Sequence, residues 1–202
     1  LRDGTLIAVG YRYDRSNPEL PIGNPNGGLL PGENTVCFSY DGGRTWSIPE
    51  VIKTGYPEFL ETSGPCIETV SGDLLAIGCP MFLWDGSNPS GQTGVGLRSK
   101  DKGRTWDCRT RYFTLPGDYV SPWEARLCEM QPGRIVTIVW AYDNHQKKHL
   151  ANHVTVSHDN GYTWSNPIDT GHMGQASNLM WLGDERLLTI HAHRAGEVGL
   201  YV

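Results

Sequence analysis

The chain has 202 residues, with 22 Asp and Glu against 17 Lys and Arg and a formal net charge of −5. That balance excludes the basic footprint of a nucleic-acid or anionic-membrane partner, and no apolar run reaches the roughly 18 residues that a membrane span needs. The 25 glycines and 13 prolines fit a turn-rich all-β protein, and no stretch carries the period of a long amphipathic helix.

Leu1-Arg2-Asp3-Gly4-Thr5-Leu6 reads as a turn feeding a strand, and the chain stops at Tyr201-Val202 inside another. It is therefore expected to be a fragment, with any signal peptide upstream of Leu1. Apolar strands are predicted over residues 5–9, 74–78, 134–140 and 186–192. Variable loops connect the first three to strands over 35–40, 94–99 and 153–157. Further strands over 65–70, 124–130 and 176–182 precede the last three apolar strands across the short turns Ser71-Gly72-Asp73, Gln131-Pro132-Gly133 and Gly183-Asp184-Glu185. Cysteines 37, 66, 79, 108 and 128 lack metal-site spacing and read as small buried hydrophobes. His145, His149 and His153 straddle a loop and a strand start, and His191 and His193 lack a third ligand. No metal and no cofactor are expected.

One phrase occurs three times. Ser39-Tyr40-Asp41-Gly42-Gly43-Arg44-Thr45-Trp46 returns after 60 residues as Ser99-Lys100-Asp101-Lys102-Gly103-Arg104-Thr105-Trp106. After 58 more it returns as Ser157-His158-Asp159-Asn160-Gly161-Tyr162-Thr163-Trp164. A period this regular marks an array of similar units. The Asp can accept backbone N–H groups and close a turn, the Gly can take positive φ, the Thr can start a strand, and the Trp can lie between neighbouring sheets. These aspartates could also bind a ligand, but building the same turn three times favours a structural role.

With the strands of a unit lettered A to D, the first unit (about 1–55) shows B, C and D. The second (56–115) and third (116–170) show all four, and the fourth (171–202) shows A, B and the start of C. This is about three and a half blades of a β-propeller, a fold that closes with roughly 4–8. The missing blades are then expected partners, without which unpaired edges are exposed. The phrase and the A–B turns fall at one end of every blade, and the long loops 14–33 and 82–93 at the other, where a site is expected. Starts of A strands and ends of B strands then face a common pocket. They supply Arg12, Tyr13 and Asp14; Glu61, Trp84 and Asp85; Trp123, Glu124, Arg126, Tyr142 and Asp143; and His172, Gln175, His193 and Arg194. Arginines and aromatics among carboxylates suit an acidic or polyhydroxy sugar.

The repeated phrase is similar to the Asp box, or BNR repeat, of the sialidase (neuraminidase) superfamily and of several other propellers. The resemblance implies an all-β propeller of four-stranded antiparallel blades, about six when intact, with the boxes (Asp41, Gly43, Trp46; Asp101, Gly103, Trp106; Asp159, Gly161, Trp164) as structural turns. Gly4-Thr5-Leu6-Ile7-Ala8-Val9-Gly10-Tyr11-Arg12 resembles the first-blade stretch that ends in an arginine and is followed by the general acid/base. Asp14 is the nearest counterpart; alternatively it pairs with Arg12 or Arg15. Glu124-Ala125-Arg126-Leu127-Cys128-Glu129-Met130 resembles the strand whose Glu partners a tyrosine nucleophile. Glu124 takes that place unless it pairs with Arg126 in a salt bridge. His193-Arg194-Ala195-Gly196-Glu197-Val198-Gly199-Leu200-Tyr201 resembles the stretch that supplies a carboxylate-binding arginine, here Arg194. Gln175, Arg126, Tyr142, His193 and Trp84 join Arg12 and Arg194 as expected substrate contacts. The family's first arginine and its tyrosine would lie outside this chain. Its middle arginine belongs where this chain reads Trp140-Ala141-Tyr142-Asp143. The resemblance thus implies a retaining exo-glycosidase acting on a terminal, sialic or other acidic, sugar of a glycan, secreted or periplasmic. A non-catalytic glycan-binding or scaffold propeller is the alternative.

Overall fold

A computed structural model describes residues 1–194 and 197–202. The chain folds into four antiparallel sheets, in sequence order. The first contains β1 (Leu6–Tyr13), β2 (Gly32–Ser39) and β3 (Glu50–Val51), in that spatial order. The second contains β4 (Leu60–Glu61), β5 (Ile67–Glu68), β6 (Leu74–Pro80), β7 (Gly94–Ser99) and β8 (Asp107–Phe113). The third contains β9 (Val120–Gln131), β10 (Arg134–Asp143), β11 (Lys148–His149), β12 (His153–Ser157) and β13 (Ile168–Asp169). The fourth contains β14 (Ser177–Gly183), β15 (Arg186–His193) and β16 (Gly199–Tyr201). This is the propeller-like all-β architecture that the repeat predicts. The sheets do not close into a ring among the described residues.

Each sheet buries one face against the next, so the core is divided among the blade junctions. Val36 and Phe38 meet Leu60, Ala76, Val95 and Leu97 between the first and second blades. Leu75, Ile77 and Phe113 meet Leu127, Ile135 and Val139 between the second and third. Val136 and Ile138 meet Leu179 between the third and fourth. Strand alternation explains the pattern in β1. Ile7 and Val9 pack on the second blade and Tyr11 on its Phe59, which turns Leu6, Ala8 and Arg12 to the opposite face.

The three repeated turns are built alike. The Asp Oδ1 accepts the Thr N–H four residues on at 2.9, 2.9 and 2.8 Å, and its Oδ2 accepts the same Thr hydroxyl at 2.7, 2.6 and 2.6 Å. The Ser hydroxyl donates to the Asp and accepts the Gly N–H. Two successive residues take positive φ, and the second is always Gly: Gly43 at 87°, Gly103 at 89° and Gly161 at 81°. A Cβ at Gly103 would stand 2.9 Å from Phe38 of the first blade, and one at Gly161 would stand 2.9 Å from Leu75 of the second. Glycine is required there twice over, by backbone conformation and by contact with the preceding sheet.

Three expectations need correction. The Thr of the phrase does not start a strand, because its N–H and hydroxyl are both committed to the Asp; the following strands begin later, at Glu50, Asp107 and Ile168. Trp106 and Trp164 do lie between sheets, each donating Nε1–H to the Gly carbonyl of its own turn. Trp46 does not: it is 45% exposed, because the face it covers in the other blades belongs to a preceding sheet and the first blade has none among the described residues. The strand predicted over 65–70 is reduced to Ile67–Glu68, and a second short piece that was not predicted, Leu60–Glu61, pairs separately with Pro80 and Cys79. Between the two pieces the chain leaves the ladder at Gly64, where a Cβ would stand 2.3 Å from the Ala125 carbonyl oxygen of β9. The close approach of the next inner strand breaks this one.

Buried amides bridge the blades. Asn34, 2% exposed, donates to the Leu60 carbonyl at 2.7 Å and accepts the Leu60 N–H at 2.8 Å. Asn152, fully buried, donates to Ser177 at 2.6 Å and bonds His191 Nδ1 at 2.9 Å. Both stand five residues before the Ser of the repeated phrase. The second blade has Gly94 at that position, and Gln92 two residues earlier reaches Ser121 of the third blade.

Candidate functional site

The loop-rich end of the blades carries the candidate residues, and Glu124 is the most constrained of them. The ladder between β9 and β10 slips there: Trp123 pairs with Trp140 and Arg126 with Ile138, leaving Glu124 and Ala125 opposite Val139 alone. This β-bulge holds Glu124 at φ 47°, a left-handed conformation that costs a non-glycine residue of the order of 1 kcal/mol or more. Its N–H donates to Glu61 Oε2 at 3.2 Å. Its own Oε2 is buried without a hydrogen-bond partner among the described residues, 3.6 Å from Arg194 Nη2, the long limit of an ion pair. The fourth blade repeats the irregularity: Ala176 has φ 61°, and Gln175 and Ala176 both bond the backbone of Ala192.

Arg126 does not pair with the Glu124 carboxylate. Its Nη1 donates instead to the Glu124 carbonyl at 2.9 Å, the Ala125 carbonyl at 3.1 Å and Ser63 Oγ at 3.4 Å. The carboxylate thus faces Arg194, from the next blade. Glu61 is the shielded carboxyl of this group, 7% exposed, and burial raises its pKa against the opposing pull of Ser63 and the Glu124 N–H. Tyr11 and Tyr13 cluster with Phe59 beside it, with ring centroids 5.0–5.8 Å apart. Burial, then Tyr13 and Glu61, push the Tyr11 phenol up to about 12.

Arg12 and Asp14 lie elsewhere on the first blade. Arg12 is held by its cross-strand neighbour Glu33, with Nε to Oε1 at 2.7 Å, on the face turned away from the second blade. Asp14 is solvent-exposed and pairs with neither Arg12 nor Arg15. Its Oδ1 accepts the Ser16 N–H at 2.8 Å, which lowers its pKa. Arg15 bonds the carbonyls of Pro18 and Leu20. Arg12, Asp14 and Glu33 line an open cavity of about 520 Å³ that includes neither Glu124 nor Arg194.

Tyr142 stacks on Trp123 with centroids 4.9 Å apart and planes 11° from parallel, and both line a cleft of about 530 Å³. Trp84, 39% exposed, lines a separate cavity with Phe59 and Phe82. Gln175 is half-buried. His193 bonds the Met173 carbonyl at 2.6 Å and packs on Tyr201, lining a cavity that also includes His172 and His191. His191 is buried, and desolvation, then His172 and His193, lower its pKa. Asp143 pins the N–H groups of His145 and Gln146, and Asp85 the N–H and hydroxyl of Ser87, so both serve turns. The five cysteines are free, and Asp41, Asp101 and Asp159 are committed to their own turns. Two features escaped the sequence: the bulge at Glu124, which has no local signal, and the burial of Glu61, which depends on the neighbouring blade.

No family model matches the sequence, and no curated protein matches it. Solved structures do. A protein of unknown function from Dyadobacter fermentans DSM 18053 superimposes with a TM-score of 0.73 at 23% identity, over 99% of this chain and 57% of that one. The Hadza microbial sialidase Hz136 gives 0.62 at 21% identity, over 94% of this chain and 38% of that one. Zg3597, a family 117 glycoside hydrolase from Zobellia galactanivorans, gives 0.63 at 12% identity, over 96% and 61%. The chain has a sialidase-like propeller fold. It spans about 57% of the length of the Dyadobacter protein.

Proposed function

We propose that this propeller belongs to a glycoside hydrolase that removes a terminal sugar, acidic in the first instance, from a glycan with retention of configuration. The observation that carries the reading is Glu124: a carboxylate held in a strained bulge, one oxygen buried and unpartnered among the described residues, with Arg194 opposite. Strain of this kind persists where the surroundings over-determine it, and it concentrates at sites of chemistry. In this reading Glu124 takes the proton of a tyrosine nucleophile supplied by another blade, as sialidase-type chemistry requires. Arg194 binds the acidic group of the sugar, with Arg126, Gln175 and His193 on the same side; Arg12, Tyr142 and Trp84, which line other cavities, contact more distant parts of the glycan. Asp14 is the acid/base of this reading. Glu61 is the carboxyl that is already shielded.

The test is turnover of a fluorogenic glycoside panel, sialoside included, by the intact parent protein and its Glu124→Gln variant. The variant is expected to lose at least about tenfold, and more if proton transfer contributes its usual ~10²–10⁴. An unchanged rate in a folded Glu124→Gln sinks the assignment. A second reading, a glycan-binding propeller without hydrolysis, has its own support. No arginine stands at Ala141–Asp143, Asp143 is spent on a turn, and Arg12 is already neutralised by Glu33. It predicts glycan binding with release from no member of the panel.

A further inference from the structure

The Trp123–Tyr142 cleft stands apart from the carboxylates and arginines of the site. Its wall is the stacked pair itself, backed by Trp140, whose ring meets Trp123 edge-on at 5.1 Å and whose Nε1–H donates to His149 Nδ1 at 3.0 Å. In the short β11, His149 pairs across the ladder with Tyr142. Met81 and Phe82, from the second-blade loop, supply further apolar lining. That loop is pinned by Glu58, buried at 2%, which accepts the Ser90 N–H at 3.0 Å and its hydroxyl at 2.6 Å. The first-blade loop closes the other side through Asn26 and Leu29. It is anchored at Gly28, where a Cβ would stand 2.2 Å from the Trp84 carbonyl oxygen.

The polar groups of the cleft complement this aromatic wall. Asn144 donates its amide to the Tyr119 carbonyl at 2.7 Å and to Ser121 Oγ at 2.8 Å, so its orientation is fixed while its Oδ1 has no donor among the described residues. Lys147 is exposed and forms no ion pair among the described residues. A rigid aromatic wall with one acceptor and one cation fits a pyranose ring. The C–H face of the sugar covers the aromatic wall, and its hydroxyl or carboxylate oxygens meet the polar groups. A purely apolar ligand would leave both polar groups unused. A cleft of about 530 Å³ is within the range of small-ligand sites, and rings held in place beforehand lose little entropy on binding.

We infer that the cleft formed by the Trp123–Tyr142 stack, the second-blade loop at Met81–Phe82 and the first-blade loop at Asn26 binds a pyranose unit of a glycan chain, next to the unit held at Glu124. Its place next to the Glu124 unit, and which side of the cleaved bond it occupies, rest on the hydrolase reading; the cleft as a sugar site does not.

The experiment is a screen of the protein on an array of immobilised neutral, sialylated, uronic and sulfated oligosaccharides, followed by titration of the best members and of their constituent monosaccharides. Trp123→Ala is expected to weaken oligosaccharide binding at least about tenfold and to leave monosaccharide binding little changed. Lys147→Met, a surface change that leaves the thermal midpoint in place, is expected to weaken the same oligosaccharides severalfold and serves if Trp123→Ala does not fold. Glu124→Gln is expected to retain this binding. Retained affinity in folded Trp123→Ala and Lys147→Met overturns the inference, as does an array with no member held at about 1 mM. Cleft-dependent binding without turnover ends the hydrolase reading alone. Turnover with no dependence on Trp123 or Lys147 ends the cleft alone.

Discussion

The amide of Asn34 offers a direct test of how the first two blades are joined. It is 2% exposed, and both of its polar atoms are committed to the backbone of Leu60, at 2.7 and 2.8 Å. Leu60 is itself fully buried and belongs to a two-residue strand whose ladder ends one residue later at Glu61. Asn34→Ala leaves a buried N–H and a buried carbonyl without partners. Each orphaned group costs about 1–3 kcal/mol, so a loss of roughly 3 kcal/mol is expected, reduced where water enters the space left by the side chain. Asn34→Asp should do worse than Ala, because it keeps the acceptor for Leu60 N–H but sets a carboxylate against the Leu60 carbonyl in a buried setting. The measurement is the midpoint and slope of urea unfolding for the three proteins. A loss under about 1 kcal/mol for Asn34→Ala with an unchanged slope, or an Asp variant as stable as wild type, refutes the argument that this amide carries the junction.

The other predictions concern the repeated turns and the bulge. Trp164→Ala should cost about 3–5 kcal/mol and Trp46→Ala far less, since only the first is enclosed between two sheets; equal losses in thermal or urea unfolding would contradict the packing described. The carboxyls of Asp41 and Asp101 are lowered to about 2. For Asp41 the Thr45 N–H and then its hydroxyl are responsible; for Asp101 the Thr105 hydroxyl leads, followed by its N–H. Their contribution to stability is therefore complete above the unfolded-state value near 4 and is lost as pH falls through about 2. Acid titration of the unfolding free energy should show that loss between pH about 4 and 2, and replacing Asp101 by Asn should flatten it. Glu124→Gly should be more stable than Glu124→Ala by about 1 kcal/mol, because glycine takes φ 47° freely and alanine only at a cost in strain. The reverse order would remove the case for strain at this residue.

The blade and its repetition follow from local sequence alone. Each step there is local: Asp41, Asp101 and Asp159 close turns within four residues, Gly43, Gly103 and Gly161 supply the φ those turns need, and alternation along β1 sorts Ile7 and Val9 from Leu6 and Arg12. What those blades do to one another depends on how they pack. Trp46 closes the same repeated phrase as Trp106 and Trp164, yet it is exposed, because burial depends on the sheet opposite. The strand before Leu74 breaks at Gly64 because β9 approaches it. Arg126 lies two residues from Glu124 but bonds its carbonyl, while the carboxylate meets Arg194 from the next blade. The burial of Glu61, the left-handed turn of Glu124 and the stacking of Trp123 on Tyr142 all arise where separate segments converge. Interactions between residues tens of positions apart leave no periodic trace in the chain, so the blades were legible and the pocket between them was not.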